Sequence, residues 1–202
     1  MKTLVVYYSL SGNNRLLAET LSKRLDCELC ELHPRKARTT LDLVLDAFLH
    51  RTPPNERIPF DIGAYDLVIL VAPIWNARVA APMRSFARQF GGHLWNYAFI
   101  SACGGRRGQT TRLRRELTRF IGRAPTQLVE IDAKQLLSSA IRKRLGASNY
   151  RFDAEDMVTL TPQLDRFLDA IGEDAGELAA GRNQRELSRP EAAQGRPQNL
   201  HL

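Results

Sequence analysis

The chain is short of cysteine, of long hydrophobic runs and of acidic residues, and each shortage excludes something. Among 202 residues there are three cysteines, Cys27, Cys30 and Cys103. That number is small and odd, which excludes a disulfide scaffold and fits a reducing compartment. Stability must therefore come from packing. The apolar runs fall far short of the ~20 residues a membrane helix needs. The first of them, Leu4 to Tyr8, is too short for the core of a secretory signal peptide. We therefore expect no membrane span and a cytoplasmic location. No G-x-x-x-x-G-K-[ST] run and no G-x-G-x-x-G after a strand occurs, so ATPase and Rossmann dehydrogenase readings fall. No repeat of solenoid or propeller length is visible.

Acidic residues number 22 against 29 basic ones, giving a net charge of +7. A balance of this sign favours anionic partners without naming them. The excess is concentrated: seven arginines lie between Arg106 and Arg123 against Glu116 alone, and Arg142, Lys143, Arg144 and Arg151 follow.

What is present is an alternation of short apolar runs with segments of helical period, the pattern of a parallel sheet covered by helices on both faces. Thr3 to Tyr8, Asp66 to Ala72, Tyr97 to Ala102 and Thr126 to Ile131 read as strands buried on both sides, and Cys27 to Leu32 as an edge strand. Helical stripes follow: Leu17, Leu21 and Leu25; Val79, Met83, Phe86 and Phe90; Leu113, Leu117, Phe120 and Ile121; and Leu160, Leu164, Phe167, Leu168 and Ile171. A further stripe, Leu41, Val44, Leu45, Phe48 and Leu49, ends before Pro53 and Pro54. We expect one α/β domain over residues 1–172. Residues 173–202, poor in large apolar side chains, are expected to form a mobile tail or a frayed helix.

In an open parallel sheet ligands bind beyond the carboxyl ends of the strands. Three loops fall there. Ser9-Leu10-Ser11-Gly12-Asn13-Asn14 runs from a strand into a helix, offering hydroxyls, amides and unpaired N–H groups to a phosphate. The alternative is an asparagine that merely caps the helix. Pro73-Ile74-Trp75-Asn76-Ala77-Arg78 puts an aromatic at the mouth of the central strand, to stack on a planar ligand or to fold onto the core. Cys103-Gly104-Gly105-Arg106-Arg107-Gly108 combines small residues with two positive charges, which either meet a ligand or are simply solvated.

At these three loops, and over most of the chain from Lys2 to about Ile171, the sequence resembles the flavodoxin-like family of FMN-binding proteins. The segments that carry the resemblance are Tyr8 to Asn14, Tyr65 to Trp75, the most specific, and Ser101 to Gly105. It implies a three-layer sandwich with a five-stranded parallel sheet of order 2-1-3-4-5 and FMN as cofactor. It also implies that Ser9, Ser11, Gly12, Asn13 and Asn14 surround the FMN phosphate. Pro73, Ile74, Trp75, Asn76 and Ala77, with Cys103, Gly104, Gly105 and Arg106, would border the isoalloxazine ring. The ring, not a side chain, would then do the electron chemistry.

The chain departs from its resembled family in three ways. Asn14 stands where a threonine is frequent, no glycine occurs between Pro73 and Pro82, and the charge is basic where flavodoxins are typically acidic shuttles. These departures favour an oxidoreductase that takes electrons from NAD(P)H or another small donor and passes them to a small acceptor such as a quinone. The alternatives are a one-electron carrier and a cofactor-free interaction module, and a homodimer is compatible with any of these. Arg106 and Arg107 are candidates for an anionic donor or substrate. Nucleic-acid binding through the 106–123 stretch lacks any recognisable module. Cys27 and Cys30 lie too far apart along a strand for a disulfide, and with His33 they make at most three ligands, so no metal site is expected.

Overall fold

The computed structural model describes residues 1–35, 52–103, 109–133, 136 and 150–173. The chain runs β1 (Thr3–Tyr7), α1 (Asn13–Leu25), β2 (Glu28–Glu31), β3 (Leu67–Val71), β4 (Ile74–Trp75), β5 (Arg78–Val79), α2 (Ala81–Phe90), β6 (Tyr97–Cys103), α3 (Thr110–Ile121), β7 (Leu128–Asp132) and α4 (Ala154–Thr159). A last helix, α5, occupies residues 161–173. Five parallel strands form one sheet in the order β2-β1-β3-β6-β7, so the five long strands, taken in chain order, lie 2-1-3-4-5 as expected.

Strand alternation divides the core into two layers, because successive side chains point to opposite faces. Leu4, Val6, Val68, Leu70, Tyr97 and Phe99 pack with Met83 and Phe86 of α2 and Leu113 and Leu117 of α3. Val5, Tyr7, Leu67, Ile69, Val71 and Ile100 pack on the other side with Leu17 and Leu21 of α1, and with Leu160, Leu164, Phe167 and Ile171. Each fully buried aliphatic or aromatic side chain contributes about 1.5–3 kcal/mol. Helices α2 and α3 approach closely enough that Gly91 leaves no room for a side chain: a Cβ there would lie 2.7 Å from the Phe120 carbonyl oxygen.

Three details differ from the sequence reading, the first being that the strand read over Thr126 to Ile131 as buried on both sides is β7, the other edge of the sheet, half-buried at Val129 and Glu130. Val79 was expected to begin a helical stripe but belongs to β5, paired with Ile74. The helix starts only at Ala81, with Pro82 in its first turn, where the missing N–H costs nothing. Strand β2 is at the sheet edge as expected, yet both its faces are partly covered: Cys30 joins one core layer while Leu29 packs against the other. Cys27, Cys30 and Cys103 are free thiols, and burial pushes the Cys30 thiol up to about 11. The stripe Leu41 to Leu49, the basic residues Arg142 to Arg144 and residues 174–202 lie outside the described residues. No helix among the described residues is long and apolar enough to cross a membrane.

Candidate functional site

At the carboxyl end of the sheet, β1 and β3 open into two differently built junctions. Beyond β1, Tyr8 still donates its N–H to the Val71 carbonyl at 2.9 Å, and then the chain leaves the sheet. Ser9 Oγ accepts the Gly12 N–H at 3.1 Å, closing a tight loop. Gly12 takes φ 98°, the left-handed side that favours glycine. A Cβ at Gly12 would meet only Arg151 Nη1, at 3.8 Å, so the backbone conformation and not space calls for glycine. Helix α1 then begins, with Leu16 N–H donating to the Gly12 carbonyl at 2.9 Å.

The first-turn N–H groups of Asn13, Asn14 and Arg15 consequently have no acceptor among the described residues, and the first turn carries no acidic side chain. A cradle of this kind, at the positive end of a helix dipole, suits an anion. The side chains of the two asparagines are used elsewhere. Asn13 Nδ2 donates to the Tyr150 carbonyl at 2.8 Å, and its Oδ1 accepts the Phe152 N–H at 3.0 Å. Asn14 Nδ2 donates to the Ala102 carbonyl at 3.1 Å, and its Oδ1 accepts the Ala102 N–H at 2.9 Å. Each amide imitates a strand partner, so neither side chain caps the helix and what these residues present outward is their main chain. Asn14 thereby ties the loop of β1 to the end of β6, across the intervening β3.

Beyond β3 the chain makes a hairpin that the sequence reading took for an open loop. Ile74 pairs with Val79 and Trp75 with Arg78, and the turn residues Asn76 and Ala77 take φ 50° and 56°. Two successive left-handed residues are the requirement of the tightest hairpin turn. Asn tolerates that conformation well and Ala less so. Trp75 is half-buried against the core and meets Tyr8 edge to face, with ring centroids 6.1 Å apart. It is thus neither free at the mouth nor wholly interior. Pro73, Ile74 and Ala77 are also half-buried, and Asn76 is exposed.

The hairpin is anchored from α3. Glu116 Oε2 accepts the Val79 N–H at 2.9 Å. Glu116 Oε1 lies 3.6 Å from Arg78 and 3.9 Å from Arg84, and the Arg84 side chain is only 1% exposed. A buried guanidinium needs such a counter-charge. At the end of β6, Ala102 and Cys103 are buried. Gln109 and Thr110 hold Glu130 of β7 at 2.8 and 2.7 Å. Gly104, Gly105, Arg106 and Arg107 lie outside the described residues.

A charged cluster braces the first junction. Glu31 accepts hydrogen bonds from Arg15 at 2.6 Å and from the Tyr7 hydroxyl at 2.9 Å. Burial, the Glu31 hydrogen bond and its charge push the Tyr7 phenol up to about 12. For Glu31 itself, burial pulls the carboxyl upward, but the hydrogen bonds from Arg15 and Tyr7 and the Arg15 charge outweigh it and hold the carboxyl below its usual range.

Two contributors escaped the sequence reading. Arg151 appeared there only as one more basic residue, and Glu116 only as the lone acid in an arginine-rich stretch. In the structure the Arg151 guanidinium donates to the Ser11 carbonyl, directly at the cradle. The signal for Arg151 was the alternation Tyr150-Arg151-Phe152, two inward aromatics with a charge facing out between them.

No protein-family model matches the chain, and no curated protein matches it by sequence. Solved structures do match. A flavoprotein from Lactobacillus acidophilus NCFM, in complex with FMN, superposes with a TM-score of 0.56 at 20% identity, over 67% of this chain and 95% of that one. A protein from Bacteroides eggerthii DSM 20697, assigned as a flavoprotein, gives a TM-score of 0.52 at 20% identity, over 74% and 99%. A similarly assigned protein from Bacteroides uniformis ATCC 8492 gives 0.53 at 18%, over 70% and 97%. With the parallel order 2-1-3-4-5 and a helix layer on each face, this chain has the flavodoxin-like fold.

Proposed function

We propose that the chain binds FMN at the carboxyl end of its sheet. In this reading it acts as a flavin-dependent oxidoreductase, taking electrons from a small donor such as NAD(P)H and passing them to a small acceptor such as a quinone. The observation that carries the reading is the pairing of an open N–H cradle before α1 with an aromatic hairpin on the adjacent strand. The residues fit the cofactor at both ends. Gly12 and the N–H groups of Asn13, Asn14 and Arg15 would hold the phosphate, with Ser9 keeping the loop closed and Ser11 at its rim. Pro73 to Ala77 would border the ring, with Trp75 as the aromatic contact, and Cys103 at the end of β6 would border it from the other side. Bound flavin supplies reversible electron transfer that no protein side chain offers.

The hairpin bears on the kind of chemistry. Asn76 and Ala77 are fixed in left-handed turn conformations by the pairs on either side, and no glycine gives the tip a second backbone state. This favours an enzyme over a one-electron carrier. The fold shared with an FMN-bound flavoprotein supports the cofactor at the level of fold. Gly104, Gly105 and Arg106 keep the ring-bordering role, and Arg106 and Arg107 the donor role, that the sequence suggests for them.

The test is an FMN titration of the purified chain, followed by flavin fluorescence, with the visible spectrum of the protein as isolated. Saturable quenching and oxidised-flavin absorbance bands are expected, then turnover with NADH or NADPH and a quinone. A colourless protein that leaves FMN fluorescence untouched at micromolar concentrations overturns the reading.

A further inference from the structure

We infer that Arg151, which stands 137 or more positions from the loop in sequence, is the cationic ligand of the phosphate, and so makes this site select a flavin phosphate over unphosphorylated flavin. The inference rests on the FMN reading above. Three observations place Arg151 there. Its guanidinium donates to the Ser11 carbonyl and stands 3.8 Å from where a Gly12 Cβ would be, at the rim of the cradle whose N–H groups have no acceptor among the described residues. The segment that carries it is held in place by the loop itself, since Asn13 binds the main chain of Tyr150 and Phe152, one residue to each side. The segment is also fixed from below. Phe152 is buried in the core layer with Tyr150 packed against it, and the Tyr150 hydroxyl donates its one proton to the Asp156 carboxylate, whose oxygens lie 3.1 and 2.9 Å away.

Tyr150 and Phe152 on either side pack into the core layer, while Arg151 between them is exposed and reaches over the loop. Asp156 is itself engaged in the capping box of α4, receiving the Asp153 N–H at 3.0 Å. No carboxylate is paired with Arg151 among the described residues. An arginine fixed in this way presents several N–H donors toward a phosphate monoester. The contact it makes now, to a neutral carbonyl, leaves the remaining donors for the dianion.

The test compares FMN with riboflavin, which lacks the phosphate, on the wild type and on Arg151→Ala, Arg151→Lys and Asn13→Ala. Binding is read by flavin fluorescence and fold integrity by circular dichroism. On the wild type FMN should bind far more tightly than riboflavin, with an affinity that falls as salt rises. Arg151→Ala should weaken FMN on the order of tenfold or more, leave riboflavin within about twofold, and flatten the salt dependence. Arg151→Lys should recover part of the loss, and Asn13→Ala should mimic Arg151→Ala in part by releasing the segment. Equal weakening of FMN and riboflavin by Arg151→Ala would mean that Arg151 only braces the loop. Unchanged FMN affinity would mean it makes no contact with the phosphate. Either result overturns this inference while leaving the flavin reading in place. A wild type that binds neither flavin overturns both.

Discussion

The two junctions at the carboxyl end of the sheet achieve unusual backbone shapes by opposite means. Before α1 a glycine supplies the positive φ, and two buried asparagine amides fasten the loop to strands and segments far away in sequence. Beyond β3 no glycine is used. Asn76 and Ala77 are held left-handed by the hairpin pairs, and Glu116 pins the hairpin to α3. The first design frees main-chain N–H groups outward, because side chains do the fastening. The second uses up its main chain in pairing and presents side chains instead. A site that needs donors at one end and an aromatic edge at the other is served by this division.

The contrast is broken most severely at Asn14. Asn14→Ala removes both bonds to Ala102 and leaves a buried N–H and carbonyl without partners, for an expected loss of about 3 kcal/mol in urea unfolding. A loss below about 1 kcal/mol would show that water replaces the amide and that the junctions are not rigidly tied. Glu116→Gln keeps an acceptor for Val79 but removes the charge facing buried Arg84 and Arg78, with an expected cost of about 2 kcal/mol. Trp75 fluorescence should shift with it if the hairpin loosens.

Ala77→Gly tests the other sign. It relieves a left-handed alanine, so a gain of about 1 kcal/mol is expected, read as a higher melting temperature. A loss would mean that the alanine methyl contributes packing that outweighs the strain. The smallest effect concerns pH. Because the folded Glu31 carboxyl is held below its unfolded value, its contribution is present above the unfolded pKa of about 4.5 and fades as pH falls through the lower folded value. Tyr7 has the opposite sense: its folded phenol is raised to about 12, so its contribution is intact below pH 10 and is lost between about 10 and 12. Glu31→Gln should flatten the acid limb of stability against pH, and Tyr7→Phe the alkaline limb.

Most of the fold was legible because its signals are local and periodic. The continuous runs Asp66 to Ala72 and Tyr97 to Ala102 read as buried strands, observed at Leu67–Val71 and Tyr97–Cys103, and Leu160, Leu164, Phe167 and Ile171 read as one helical stripe, since a helix or a doubly buried strand imposes its own spacing on apolar residues. The hairpin was missed because its two-residue strands are below any periodic signal and its turn lacks the glycine that normally marks one.

Of the site, the sequence alone determined that Ser9 to Asn14 leads from a buried strand into a helix, because a run of apolar residues followed by helical spacing is a local signal. Only the tertiary structure decided what those residues do. It turned the Asn13 and Asn14 amides inward to main chain 137 to 139 and 88 positions away, brought Arg151 over Ser11, and set Glu116 beneath the hairpin. Each of these pairings joins polar groups that only the folding of distant segments brings together, and no local pattern records which segments will meet.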